Sequence, residues 1–307
     1  MRKIKGASPS VVKCLSFGIS FFIFLGSAAM AKSRTPSEAM VDLKGKDQAK
    51  KMEAASELSK MGKDAVPVIV EEMKNYGKLD KDSKILMAII LGRTGDERGD
   101  EHLRKMLKED PDVLVGQSAA IGMGYSRRKE HIPALTEALN DDKKDKAVRM
   151  RAAWALGQMG DKSGKKLALE VLKSNKKADA SAQYLSVEAL ESIGDESVVP
   201  ELDRNWKDKK AYVWTRIWSK LAAKRVKFHN VKQEERLMFL EEALADPQFE
   251  VNDWAAGELL KDGSDVAINI LSNCSTDKRN PGSYSCEKRL GYINARKARS
   301  NHSRKSK

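Results

Sequence analysis

Along most of the chain, apolar residues recur at intervals of three and four, the spacing that gathers them on one face of an α-helix. The clearest instance begins at Val148 and reads VRMRAAWALGQMG. Small residues follow the opening Val148 at positions four and five, Leu156 stands at eight and Met159 at eleven. Gly160 then comes where a helix ends most easily, in a left-handed residue. The same frame fits the rest of the chain. Its terminal position falls at Gly62, Gly95, Tyr125, Gly160, Gly194, Arg225 and Gly263, at intervals of 33, 30, 35, 34, 31 and 38 residues. Four residues earlier stand Leu58, Leu91, Ile121, Leu156, Leu190, Leu221 and Leu259, apolar every time. The inner pairs are mostly small, as at Ala54-Ala55, Met87-Ala88, Ala152-Ala153 and Ala255-Ala256. A second apolar helix follows each terminal position, for example over 66–73, 132–139, 167–172 and 199–206. Pro67, Pro133 and Pro200 fall near three of their starts, where a missing N–H costs nothing. Strand signals are absent: no stretch alternates with period two, and no Asn-Gly turn occurs.

Two helices per unit at a period near 33 cannot make separate cores, so each pair must bury its face on the next. The expectation is an all-α fold, a right-handed α-solenoid of about seven helix-pair repeats over residues 46–274. At this point the residues reach a family. VRMRAAWALGQMGD, with Leu-Gly at 156–157 and Gly-Asp at the helix end, resembles the HEAT-like repeat of the phycobilisome-lyase type. Gly-Asp recurs at Gly95-Asp96 and Gly194-Asp195, and Gly-Lys-Asp stands at 62–64. The resemblance is weakest at Tyr125 and Arg225, where the glycine is missing. It implies an extended surface that holds a protein or peptide. Some members attach bilins to phycobiliproteins in the cytoplasm, an activity that an exported chain does not fit.

Export is the reading of residues 1–31. Arg2, Lys3, Lys5 and Lys13 form a basic start, an apolar run spans 15–25, and Ala29-Met30-Ala31 supplies a small-x-small cleavage site. Residues 32–45 have little apolar periodicity and are expected to be a flexible leader. The formal net charge of +13 belongs mostly to the two ends. The signal holds four basic residues, and 287–307 hold eight basic against one acidic, which leaves 45 basic and 43 acidic residues in 32–286. A nearly neutral body, exported, argues against nucleic acid as a partner.

Cleavage would remove Cys14 and leave Cys274 and Cys286 in a compartment where thiols oxidise, so these two are expected to form a disulfide. The Ser, Asn, Pro and Gly between them suggest a disulfide-closed loop and cap over 275–294. Residues 295–307 carry Arg296, Lys297, Arg299, Arg304, Lys305 and Lys307 with no acid, and are expected to be a disordered electrostatic tail. Anionic lipid or an acidic wall polymer is the partner such a tail would take.

Catalytic constellations do not emerge. The four His are scattered, no HExxH, CxxC or GxSxG occurs, and GDKSGKK at 160–166 lacks phosphate-loop spacing. In the acidic run DDKKD at 141–145, Lys143 occupies a position where a calcium loop needs an oxygen ligand. No cofactor, metal or enzymatic activity is therefore expected. The chain reads as an exported, non-catalytic scaffold that binds a protein or peptide. The alternatives are an envelope adaptor anchored by its tail and, less well supported, a bilin-lyase-like or chaperone-like enzyme. The candidate binding group is Trp206, Tyr212 and Trp214. The frame puts Val213, Ile217, Trp218 and Leu221 in the buried stripe, with a bend and an enlarged loop over 226–233. Trp214 sits where other repeats have Lys51, Lys84, Arg149, Gln183 and Asn252, Leu114 being the other apolar case.

Overall fold

A computed structural model describes residues 34–174 and 180–305, with side chains placed as far as Ala295. The segment read as a signal, 1–31, lies outside the described residues. The chain folds as an all-α solenoid of helix pairs. It opens with α1 (Pro36–Leu43). Seven pairs follow among the described residues: α2 (Gln48–Met61) with α3 (Val66–Met73), α4 (Lys81–Thr94) with α5 (Asp100–Glu109), α6 (Val113–Ser126) with α7 (Ile132–Asn140), α8 (Lys146–Gln158) with α9 (Lys165–Lys173), α10 (Ala180–Ile193) with α11 (Val199–Lys207), α12 (Val213–Asn230) with α13 (Arg236–Leu244), and α14 (Phe249–Asp262) with α15 (Asp265–Thr276). Last comes α16 (Ser283–Lys305). Two compact units divide the chain, Met1–Val171 and Leu172–Lys307. In unit 1 the first helices of the pairs stack in the order α2, α4, α6, α8, and α1 packs against the second helix α3. In unit 2 the first helices α10, α12, α14 and α16 stack in turn.

Local chemistry sets the helix limits. Asp47, Asp80, Asp112 and Asp145 cap α2, α4, α6 and α8, each side chain accepting backbone N–H groups of the first turn. Pro67, Pro133 and Pro200 sit in the first turns of α3, α7 and α11. Left-handed residues close the first helices at Gly62, Gly95, Gly160, Gly194 and Gly263.

The third and sixth repeats run two residues later than the frame expected. Arg127, not Tyr125, takes the left-handed conformation, with φ at 51°. That shift places Ala119 and Ala120, both fully buried, on the small inner pair. In the sixth repeat Arg216 Nε donates to the Trp206 carbonyl at 3.0 Å. Arg149 Nε donates to the Leu139 carbonyl at 2.9 Å, also ten residues back, so Arg216 is its counterpart. Thr215, Ser219, Leu221, Ala222, Ala223 and Val226 are the buried residues of α12; Leu221 is buried as the frame expected, and Val213 lies outside the stripe. The terminal position becomes Lys227, which is not left-handed, so the helix runs on to Asn230. The loop expected over 226–233 is therefore helix for most of its length.

Two terminal readings are also corrected. The stretch taken as a flexible leader contains α1, started by a capping box in which Thr35 and Glu38 bond each other's backbone N–H. Ala39, Met40 and Leu43 of α1 are buried, and Ser83 Oγ donates to the Leu43 carbonyl at 2.9 Å. At the other end Cys274 and Cys286 are bonded, with Cα atoms 6.1 Å apart, but they join two helices, α15 and α16. The loop expected over 275–294 shrinks to 277–282. The tail expected to be disordered continues the backbone of α16 as far as Lys305. A helix nucleated by the bridge and by packing gains one hydrogen bond per added residue, and the Ala, Lys and Arg of this stretch favour it. The side chains of Arg296, Lys297, Arg299, Arg304, Lys305 and Lys307 lie outside the described residues.

Packing in unit 1 is close enough to need glycine. A Cβ on Gly92 of α4 would lie 2.2 Å from the backbone of Gly122 in α6, and one on Gly124 would lie 2.4 Å from the Trp154 ring. The two helices meet backbone to backbone. No helix among the described residues is long and apolar enough to cross a membrane.

Candidate functional site

The start of α12 departs from the pattern of the other first helices. Tyr212 holds the N-cap position that Asp145 holds in α8, and its side chain caps nothing. Tyr212, Val213 and Trp214 follow one another at 49%, 51% and 49% exposure. The corrected register makes Trp214 the counterpart of Ala147, not of Arg149.

That register also explains why the compared position is polar elsewhere. Lys51 is buried, donates to both Asp80 carboxylate oxygens at 2.9 Å and reaches Ser83 Oγ at 3.0 Å. Asp80, although burial works against its charge, is held below the usual carboxylate range by Lys51 and Ser83. Lys84 donates to Asp110 at 3.0 Å, and Asn252 Nδ2 to the Asp246 carbonyl at 3.1 Å. These residues are polar because they tie their helix to the adjoining turn, not because water covers them. In α12 that duty falls to Arg216, and Trp214 stands outside it.

The expected aromatic trio is split. The Trp206 ring packs under Lys220 at 4.7 Å and Arg216 at 5.4 Å, both from α12. Tyr212 and Trp214 remain open to solvent, linked by Val213, which the sequence pattern had placed in the core. Trp218 is half-buried and meets Tyr184 edge to face at 5.9 Å. Next to the open run, Lys207, Lys209 and Lys210 are exposed and form no ion pair among the described residues. Asp208 between them accepts a backbone bond from Lys210 at 2.9 Å.

The other group with catalytic residue types is enclosed. His131 is fully buried with Nε2 3.2 Å from Asp100 Oδ1, and Asp100 also receives Arg128 Nε at 2.7 Å. Burial pushes the His131 pKa down, the neighbouring Asp100 charge opposes that, and Arg104 and Arg128 add to the lowering. The cluster ties the start of α7 to that of α5, with both His131 and Asp100 buried. Among the described residues, no three His, Cys, Asp or Glu come together as a metal set.

No curated protein matches the sequence. Among solved structures the chain is similar to human deoxyhypusine hydroxylase, at 17% identity and a TM-score of 0.37 over 83% of this chain and 94% of that one. It is also similar to the CpcE–CpcF complex of phycocyanin lyase from Nostoc sp., at 18% identity and a TM-score of 0.43 over 87% and 90%. The model of the HEAT repeats matches residues 101–185 and 143–223. Those matches run from α5 into α12 and include the repeat first recognised at Val148, so the segment 101–223 is a run of HEAT repeats.

Proposed function

We propose that the chain is an exported, non-catalytic scaffold that holds a protein or peptide on unit 2, anchored by Tyr212, Val213 and Trp214. One observation carries the reading: three consecutive large side chains stand half exposed at a helix start where α2, α4, α6 and α8 each place a capping Asp. Giving up such a cap costs about 1 kcal/mol. Leaving adjoining aromatic surface in water adds no stability. Aromatic residues of this kind are the usual anchors of protein interfaces. Solenoid repeats lend themselves to this role, because they present long continuous surfaces. Export is supported by the basic, apolar and small-residue order of 1–31 and by the Cys274–Cys286 bridge, which suits an oxidising compartment.

The decisive variant is Trp214→Ala. It should change stability by less than about 1 kcal/mol, since the side chain is half in water. It should also abolish capture of the native partner by a photo-crosslinker placed at Tyr212. A loss of several kcal/mol in chemical denaturation would place Trp214 in the core and end the reading. N-terminal sequencing of the protein recovered from its native compartment should return Lys32, and Met1 would refute export.

A further inference from the structure

Two more large apolar side chains of unit 2 stand at comparable places. Phe249 opens α14 at 50% exposure, and Tyr284 is the second residue of α16 at 65%. Helices α12, α14 and α16 stack in that order, and bonds join their starts. Lys220, in the second turn of α12, reaches Asp246 just ahead of α14 at 2.6 Å. Ser285 at the start of α16 donates to Asn252 in the first turn of α14 at 3.0 Å. Trp214, Phe249 and Tyr284 therefore occupy three neighbouring helix starts along one edge. Packed helices lie about 8–10 Å apart, so the edge spans roughly 20 Å. Extended chain covers that distance in about six residues.

The end of this edge nearest Trp214 is basic. Lys207, Lys209 and Lys210 are exposed and free of ion pairs among the described residues, against Asp208 alone. Lysines left unpaired beside open aromatic surface complement a partner that is both acidic and apolar. We propose that this edge of unit 2 binds an extended acidic peptide segment, its apolar side chains on Trp214, Phe249 and Tyr284 and its carboxylates on Lys207, Lys209 and Lys210. The proposal rests on Trp214 as an anchor and adds the chemistry of the partner.

The test uses the full mature chain with its disulfide intact and a fluorescein-labelled octapeptide of alternating Glu and Leu, read by anisotropy. Binding should weaken as salt rises, because exposed charges are screened. Joint reversal of the lysines (Lys207→Glu, Lys209→Glu and Lys210→Glu) should weaken it about tenfold or more and remove the salt dependence. Phe249→Ser should weaken it severalfold while leaving the salt dependence in place. The three lysines make no ion pair among the described residues, so their reversal should leave the fold intact, which circular dichroism would verify. Equal binding of the matching Lys-Leu octapeptide, or indifference to the lysine reversal, would overturn the proposal. Capture through Tyr212 without binding of the acidic probe would discard the acidic class and leave the anchor. Loss of both would discard the anchor as well.

Discussion

Unit 1 and unit 2 are built from the same helix pair, yet α12 and α14 of unit 2 begin differently from the four first helices of unit 1. In unit 1, Asp47, Asp80, Asp112 and Asp145 cap every first helix, and Val41 and Val113 are the exposed large apolar side chains among the described residues. In unit 2, Tyr212 and Gln248 stand in the cap positions of α12 and α14 without capping them, and Trp214, Phe249, Tyr284 and Tyr292 lie open. The contrast separates two uses of one repeat. Unit 1 spends its sequence on closure, with backbone contact at Gly92 and Gly122. Unit 2 leaves apolar surface uncovered and secures its end with a covalent bond between α15 and α16. Under the proposed function, stability and recognition are divided along the chain.

The largest effect that would sharpen this contrast is expected in unit 1. Gly92→Val puts a branched side chain where even a Cβ would lie 2.2 Å from the Gly122 backbone. It should cost upwards of about 3 kcal/mol by urea denaturation. Hydrogen exchange should show the loss around Gly122 in α6 while the amides of α14 stay protected. Uniform loss of protection in both units would break the division drawn here. Next in size is the covalent end of unit 2. Replacing Cys274 and Cys286 by Ser should cost about 2 to 3 kcal/mol, since the closed loop is short. The loss should be confined to α14, α15 and α16.

Acid should distinguish the units through His131. Burial lowers its pKa in the folded state, so the unfolded chain binds the extra proton. Stability is then complete above the ordinary His value of about 6.5 and falls as the pH drops below it, by up to about 1.4 kcal/mol per pH unit. Unit 1 should loosen first between pH 7 and 5, and His131→Phe should reduce that dependence, leaving the smaller share of His102, whose pKa burial also lowers. The smallest effect has the opposite sign. Tyr212→Asp restores the cap that α8 has, and should stabilise unit 2 by about 1 kcal/mol while reducing partner capture. A variant that gained no stability would show that Tyr212 does not stand where Asp145 does.

Much of this was legible in the residues, and the failures have physical causes. The period, the small inner pairs and the glycine stops are each imposed by packing or by backbone geometry, so they survive in the pattern. The third repeat slipped because Arg127 takes a conformation that glycine usually holds, and Ile121 offered a false match to the apolar position. Ala119-Ala120 was the better marker. The sixth slipped because α12 has no left-handed stop at all. Polarity misled in a different way: Lys51 and Asn252 are polar yet buried, since a pairing across helices looks in sequence like surface. The capping box of Thr35 and Glu38 was readable and would have shown α1 within the presumed leader. Phe249 and Tyr284 carried no such sign, because their importance depends on three helix starts lying side by side.

Mechanically, the glycine contact described for unit 1 sets a limit on bending. A joint padded with side chains yields when rotamers shift, as the layer of Phe228 against Trp254 between α12 and α14 can, with its rings 5.4 Å apart. Between Gly92 and Gly122 there is no such cushion, and backbone presses on backbone. Tension can open that joint, but compression meets a hard stop, since close-packed peptide groups have little compressibility. A load applied along unit 1 is thus borne almost without give, whereas the aromatic joint in unit 2 acts as a soft spring.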